Sequence, residues 1–274
     1  GSGFLVYFAG SLEEKFGAVA PAWTAAFMLC AALFGLLAAY HAVQLPWPDS
    51  DTSGAAPSLL DALKAAWTSS KAIFGDYIRQ KDIVPILLFI VLYRFAETML
   101  GKMSAPFMLD TAANGGLALT TKQVGVIYGT VGLAALTAGG IGGGWLLARY
   151  GFRRCIWPMA LAMNVPDLLY VYMAYAKPAV AVIYPLVALE QLGYGLGAAA
   201  YTVYLMNIAQ GPNKTAHFAI STSLMALGVM LPGMISGKLQ MTAGYGQFFL
   251  LVCALTIPSF LVLPLILKTR GAEN

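Results

Sequence analysis

IVPILLFIVLYRFAETMLGKMSA, residues Ile83 to Ala105, decides the fold. At about 1.5 Å of rise per residue, a helix of this length crosses the hydrocarbon core of a bilayer. Yet Arg94 and Glu97 stand near its middle, and Lys102 follows further along. A charge at bilayer depth costs about 2.5–3.5 kcal/mol on insertion scales. The i, i+3 spacing predicts Arg94 and Glu97 on adjoining parts of one helix face, within reach of each other. Two readings follow. One is a self-neutralising ion pair that fixes packing; the other is a polar cavity that binds a solute or a proton, which intramembrane ionisable residues favour.

The rest of the chain supports a lipid solvent. Of 274 residues, 59% are hydrophobic and only 10% charged, with a mean hydropathy of +0.73. A soluble domain carries about 25% charged residues. The net charge of +4 does not point to nucleic acid, because the basic residues are spread along loops. Cys30, Cys155 and Cys253 lie singly in apolar segments. None makes a metal-ligand spacing with His41 or His217, so packing is the expected role for all three.

The chain opens inside an apolar run, GSGFLVYFAG, without a signal peptide. Its Gly-Ser start could be a cloning scar, but the run reads better as the middle of a helix, and the chain as a fragment. Residues 1–10 are predicted to end a span, closed by a polar SLEEKFG loop. Pro21 to Leu45 is a full span, closed by PWPDSDTSG, where two prolines forbid helix. Ser58 to Gln80 puts Leu60, Leu63, Trp67, Phe74 and Ile78 on one face, with Asp61 in a capping-box-like start. This pattern predicts an amphipathic helix along the interface.

Six spans follow, near Ile83–Leu109, Thr121–Arg149, Arg154–Ala176, Ala179–Ala209, Thr215–Leu239 and Gly246–Leu267. The organisation is therefore an all-α transmembrane chain in three parts: 1–45, a connector over 46–82, and a six-helix bundle over 83–274. With the connector cytoplasmic, Lys64, Lys71, Arg79, Lys81, Arg149, Arg153, Arg154, Lys214, Lys268 and Arg270 fall inside. Only Lys15, Lys122, Lys177 and Lys238 fall outside, which makes the C-terminus cytoplasmic.

Further polar groups stand at mid-membrane depth. Glu190 and Gln191 precede Gly193 and Gly197, whose spacing of four lets another helix approach closely. A carboxyl in low-dielectric surroundings holds its proton more tightly and can exchange it near neutral pH, whereas a structural Glu190 would only bond a neighbouring helix. Asp167 follows Pro166, and either marks a helix break or is completed by Asn164, Tyr170 and Tyr172. Tyr93, Tyr128, Tyr194, Tyr201 and Tyr204 offer hydroxyls for a polar ligand, or ordinary membrane packing.

The loop GGGWLLARYGFRRC resembles the cytoplasmic loop motif of the major facilitator superfamily. Gly144, Leu146, Arg149, Gly151, Arg153 and Arg154 match it, while Ala148 stands where the family has aspartate. YRFAE at Tyr93–Glu97, NVPD at Asn164–Asp167, the run Glu190–Tyr201 and YGQFF at Tyr245–Phe249 are similar to the AmpG-type muropeptide permease branch. The resemblance implies two six-helix bundles joined by a connector. This chain would hold the C-terminal bundle, the connector and one and a half helices of the N-terminal bundle. It would need the N-terminal helices of the same protein, and be inactive without them.

The resemblance further implies a solute:proton symporter of a bacterial inner membrane that imports anhydro-muropeptides by alternating access. Arg94 and Lys102 would hold substrate carboxylates. Tyr93, Tyr128, Gln191, Tyr194 and Tyr201 would line the path, and Glu97 or Glu190 would carry the proton. Asp167 would lie on a peripheral helix and rank lower. Gly144, Arg149, Gly151, Arg153 and Arg154 would form the gating loop. A same-fold carrier of a siderophore, an acyl-CoA or a drug stays open, as does a non-transporting scaffold. An enzyme is disfavoured: HExxH, GxSxG and GxxxxGK[ST] are absent, and GGIGGG at Gly139–Gly144 follows a helix, so no cofactor or metal is expected.

Overall fold

The computed structural model describes residues 2–45, 58–209 and 211–272, and among them every regular element is helical. Five helical stretches are long and apolar enough to cross a membrane: Val19–Gln44, Ile83–Leu109, Thr121–Tyr150, Val180–Ile208 and Lys214–Ile266. The last joins two predicted spans, because the non-helical Gly244 (φ 75, ψ 165) divides it. A side chain would be strained in that conformation.

One expectation fails at the start of the chain. Helix α1, Ser2–Phe16, runs through the predicted SLEEKF loop and stops only at Gly17, which takes a positive φ. Glutamate and lysine are good helix formers, and here they also find partners. Glu13 accepts from Trp23 Nε1 at 2.8 Å, and Glu14 pairs with Lys122 at 2.9 Å. Helix α2 covers Val19–Gln44 and leaves Phe27, Phe34 and Leu36 exposed. The PWPDSDTSG stretch and the Asp61 side chain lie outside the described residues.

Helix α3, Leu59–Ile78, is the expected amphipathic connector, and its apolar face stays open, with Leu63, Trp67, Phe74 and Ile78 exposed. Its C-terminal end is pinned to the bundle. Tyr77 Oη meets Ser221 Oγ at 2.9 Å, and the Tyr77 ring packs edge-on against His217.

Four predicted spans are interrupted, one of them Gly246–Leu267, which breaks at Thr256. Ile83–Leu109 breaks into α4 (Ile83–Leu92) and α5 (Phe95–Leu109), with a turn at Tyr93 and Arg94. Thr121–Tyr150 comprises α6 (Thr121–Val126), a π-helical turn over Ile127–Gly132 and α7 (Leu133–Tyr150). The third, Arg154–Ala176, divides into α8 (Phe152–Asn164) and α9 (Asp167–Ala176) at Pro166. Helices α10 (Val180–Ile208), α11 (Lys214–Leu255) and α12 (Ile257–Ile266) complete the bundle.

Helix α10 lies against α7 and α8, while α5 and α9 lie against α11. Close approach depends on bare backbone. A Cβ on Gly193 would overlap the Ala162 carbonyl oxygen, and one on Gly197 would strike the Met163 side chain. Two apolar clusters result, one around Phe89, Tyr93, Phe152, Tyr201 and Tyr204, the other around Phe107, Tyr170, Tyr245 and Phe249.

The contact at Gly193 is backbone on backbone, so it cannot relax through a rotamer. Gly193→Ala is expected to destabilise the protein by about 1–3 kcal/mol. Gly142→Ala, where a Cβ meets nothing within 4 Å, is expected to be neutral or to gain up to about 1 kcal/mol from helix propensity. Thermal unfolding in detergent separates the two.

Candidate functional site

Three of the helix interruptions converge on a single group of carboxyls. Glu97 sits three residues into α5, just past the turn at Arg94, and is 5% exposed. Asp167 opens α9 immediately after Pro166 and is fully buried. Glu190 lies mid-way along α10 at 1% exposure. The three interact with one another electrostatically, and the Glu97 and Asp167 carboxyls are within hydrogen-bonding reach. Among the described residues no N–H or O–H donor reaches Glu97 Oε2 or either Asp167 oxygen. A proton held between two carboxyls so placed would relieve their repulsion.

The predicted Arg94–Glu97 ion pair does not form; the salt bridge found among the described residues is Lys122–Glu14. The turn at Arg94 (φ −110, ψ 11) is the physical reason. It destroys the continuous helix on which the i, i+3 argument rests. Arg94 turns to aromatic partners instead. Its guanidinium donates to the Tyr194 hydroxyl and lies 5.1 Å from the Tyr194 ring centroid and 5.7 Å from that of Tyr201.

What stands in for a cation is the helix terminus. Glu97 and Asp167 both occupy first turns, where unpaired N–H groups favour negative charge. That effect is worth about 0.3–1 kcal/mol, and up to about 2 in partly buried geometry. It falls short of the roughly 2.5–3.5 kcal/mol cost of a charge at this depth. The dipole alone therefore does not offset that cost.

Glu190 is better supplied. Gln191 Nε2 donates to its two oxygens at 3.2 and 3.1 Å, and Tyr170 Oη donates at 3.4 Å. Tyr170 in turn meets Tyr128 Oη at 2.5 Å, and Tyr128 projects from the π-helical turn. A chain of exchangeable protons thus runs from Tyr128 through Tyr170 to Glu190.

Asp167 is not peripheral, as the resemblance implied; it stands beside Glu97. Nor do Asn164, Tyr170 and Tyr172 complete it. Asn164 Nδ2 donates to Ala160 O at 2.8 Å and its Oδ1 accepts from Ser259, Tyr170 serves Glu190, and Tyr172 is exposed. Tyr93 and Tyr201 are buried and structural in their bonding, donating to Gly197 O at 3.4 Å and Ile90 O at 2.9 Å. Lys102 is exposed beside Gly233 of α11, away from the carboxyls.

The loop residues lie elsewhere, at the α7–α8 joint. Gly151 takes φ 78 and ψ 159, a conformation essentially reserved for glycine, and so joins the helices in a single residue. Gly144 is exposed, as are Arg154 and Arg149, the last lying 5.7 Å from the Trp145 and Tyr150 rings. Arg153 Nε donates to Ala272 O at 3.1 Å.

No protein-family model matches the chain. Transporter AmpG 1 of Rickettsia felis is 26% identical over 188 residues, covering 69% of this chain and 41% of that protein. Transporter AmpG 2 of Rickettsia prowazekii is 24% identical over 196 residues, covering 72% and 47%. A solved peptide transporter POT in complex with alafosfalin superimposes with a TM-score of 0.57 at 20% identity, over 69% of this chain and 38% of that one. The chain has the major facilitator fold and is similar in sequence to AmpG-type transporters. It spans less than half the length of these AmpG relatives. The relatives are named as transporters, and the apolar helices support a multi-pass membrane protein.

The burial of Glu97 against Asp167 makes a stability prediction. Glu97→Gln keeps a donor facing Asp167 and is expected to change stability little. Glu97→Ala strands a buried carboxyl and opens a void, and is expected to cost about 2 kcal/mol or more, read as a lower thermal midpoint.

Proposed function

We propose that this chain forms part of a secondary transporter that imports anhydro-muropeptides into the bacterial cytoplasm by proton symport. The observation that carries the reading is the buried group of Glu97, Asp167 and Glu190 beside an arginine that none of them neutralises. A scaffold gains nothing from such a group. A proton-coupled carrier needs sites that gain and lose a proton as a solute arrives.

In this reading the Glu97–Asp167 pair holds the coupling proton, and Glu190, bonded to Tyr170 and through it to Tyr128, is a second exchangeable site. Arg94, held on the Tyr194 and Tyr201 rings, receives a carboxylate of the peptide portion. Gln191, half-buried beside Glu190, contributes an amide. Tyr128, bonded to Tyr170, supports the path, while Tyr93 holds the helix packing behind it. Residues Gly144 to Arg154 act as the cytoplasmic gating loop, with the C-terminus on that side of the inner membrane. The sequence similarity to AmpG-named transporters favours muropeptide over other solutes.

Uptake of labelled anhydro-muropeptide by vesicles bearing the full-length protein, under an imposed inward proton gradient, tests the proposal. Accumulation above equilibrium is expected for the native protein. It is expected to vanish in Glu97→Gln, Asp167→Asn and Glu190→Gln, while solute exchange down its own gradient persists. Unchanged accumulation in all three variants would remove the carboxyls from the mechanism. Accumulation that ignores the gradient in the native protein would remove the symport.

A further inference from the structure

A second polar site lies at one end of the bundle, where α4 and α11 begin and α10 and α12 finish. A cavity of about 450 Å³ opens there. Lys81 and Arg270 place two cations on its wall against one carboxylate, Asp82, and Gln80, Asn207 and His217 add further polar groups. His217 is only 8% exposed, and its Nε2 has no hydrogen-bond partner. Its Nδ1 faces Gln80 Nε2 at 3.5 Å. Buried side-chain nitrogens are rarely left this way, and such an orphan calls for a ligand or a bound water.

Helices α3 and α11 frame an apolar groove of about 590 Å³, and its Ala216 adjoins His217 of the cavity. Trp67, Ile73, Phe74 and Ile220 line the groove, with Lys71 among them. Trp67 is 75% exposed and Phe74 48%. A cationic cavity at the level of the helix ends, beside a strip of open aromatic surface, matches the two halves of an amphiphile.

We propose that the cavity and the groove together seat an anionic phospholipid. Its phosphate sits among Lys81, Arg270 and His217, and an acyl chain lies along Trp67 and Phe74. The lipid would tie the connector α3 to α11 at the point where Tyr77 and Ser221 already bond. Charge and shape argue for lipid over free phosphate: a small anion would use the cations and leave the groove empty.

Native mass spectrometry of the full-length protein in detergent, with phosphatidylglycerol, phosphatidylcholine or inorganic phosphate added, tests the site. Phosphatidylglycerol is expected to be retained in preference to phosphatidylcholine and to raise the thermal midpoint. The Lys81→Gln/Arg270→Gln pair is expected to weaken retention roughly tenfold or more. Trp67→Ser/Phe74→Ser is expected to weaken it with the cations intact, and its midpoint without lipid reports whether it folds. Should that pair misfold, Trp67→Ser alone, on an exposed position, makes the same test. Equal retention of the two lipids overturns the proposal. So does protection by inorganic phosphate that matches phosphatidylglycerol and ignores the groove variants.

Discussion

In a bilayer the backbone can leave the helical pattern only where protein or trapped polar groups take up the freed N–H and C=O groups. That constraint organises this molecule. Three of its interruptions, at Tyr93–Arg94, at Ile127–Gly132 and at Val165–Pro166, each deliver a polar side chain to one region. The first turns Arg94 away and starts a helix with Glu97 in its first turn. The second projects Tyr128, and the third starts a helix with Asp167. The apolar clusters on either side are built from aromatic and aliphatic side chains, and the carboxyls fall near their seam in each helix.

The interruptions also explain how the chain tolerates acids at this depth without pairing them to arginine. A continuous helix would have placed Arg94 and Glu97 on one face and let them neutralise each other. Such a pair is rigid and electrically silent. With the helix broken, Arg94 is held by the faces of two tyrosines, an attraction of about 0.5–2 kcal/mol that leaves its charge in place. The acids are left without an arginine partner, and of the three only Glu190 is bonded to Tyr170. A cation available to an incoming anion, beside acids that can trade a proton, is the chemistry that a symport mechanism requires.

Much of this was legible in the sequence. Apolar length located the spans, Pro166 marked one interruption, and the depth of Arg94, Glu97 and Glu190 marked the site. The interruption at Tyr93–Arg94 was not legible, because neither residue carries a backbone preference that forbids helix; tertiary packing imposes it. The π-helical turn is equally silent, since IYGTVG reads as ordinary helix. Asp167 was undervalued because the resemblance assigned its helix to the periphery, whereas a break at Pro166 aims the first residue of α9 inward. Apolarity misled at SLEEKF: hydropathy ends a span there, but helix propensity and the partners of Glu13 and Glu14 carry α1 onward.

The loop motif and the carboxyl group occupy different parts of the bundle, and their chemistry differs accordingly. Around Gly151 the backbone is pinned by a conformation that only glycine takes readily, and the arginines remain exposed. Their partners there are aromatic rings and a carbonyl rather than acids, which follows from Ala148 standing where the superfamily motif has aspartate. A joint of this kind is stiff in the backbone and weakly held by charge. A clasp between two helix bundles at this joint would then rest on hydrogen bonds and ring contacts, whose strength changes little with salt. The proton-dependent part of the cycle would fall to Glu97, Asp167 and Glu190, buried where neither salt nor bulk water screens them.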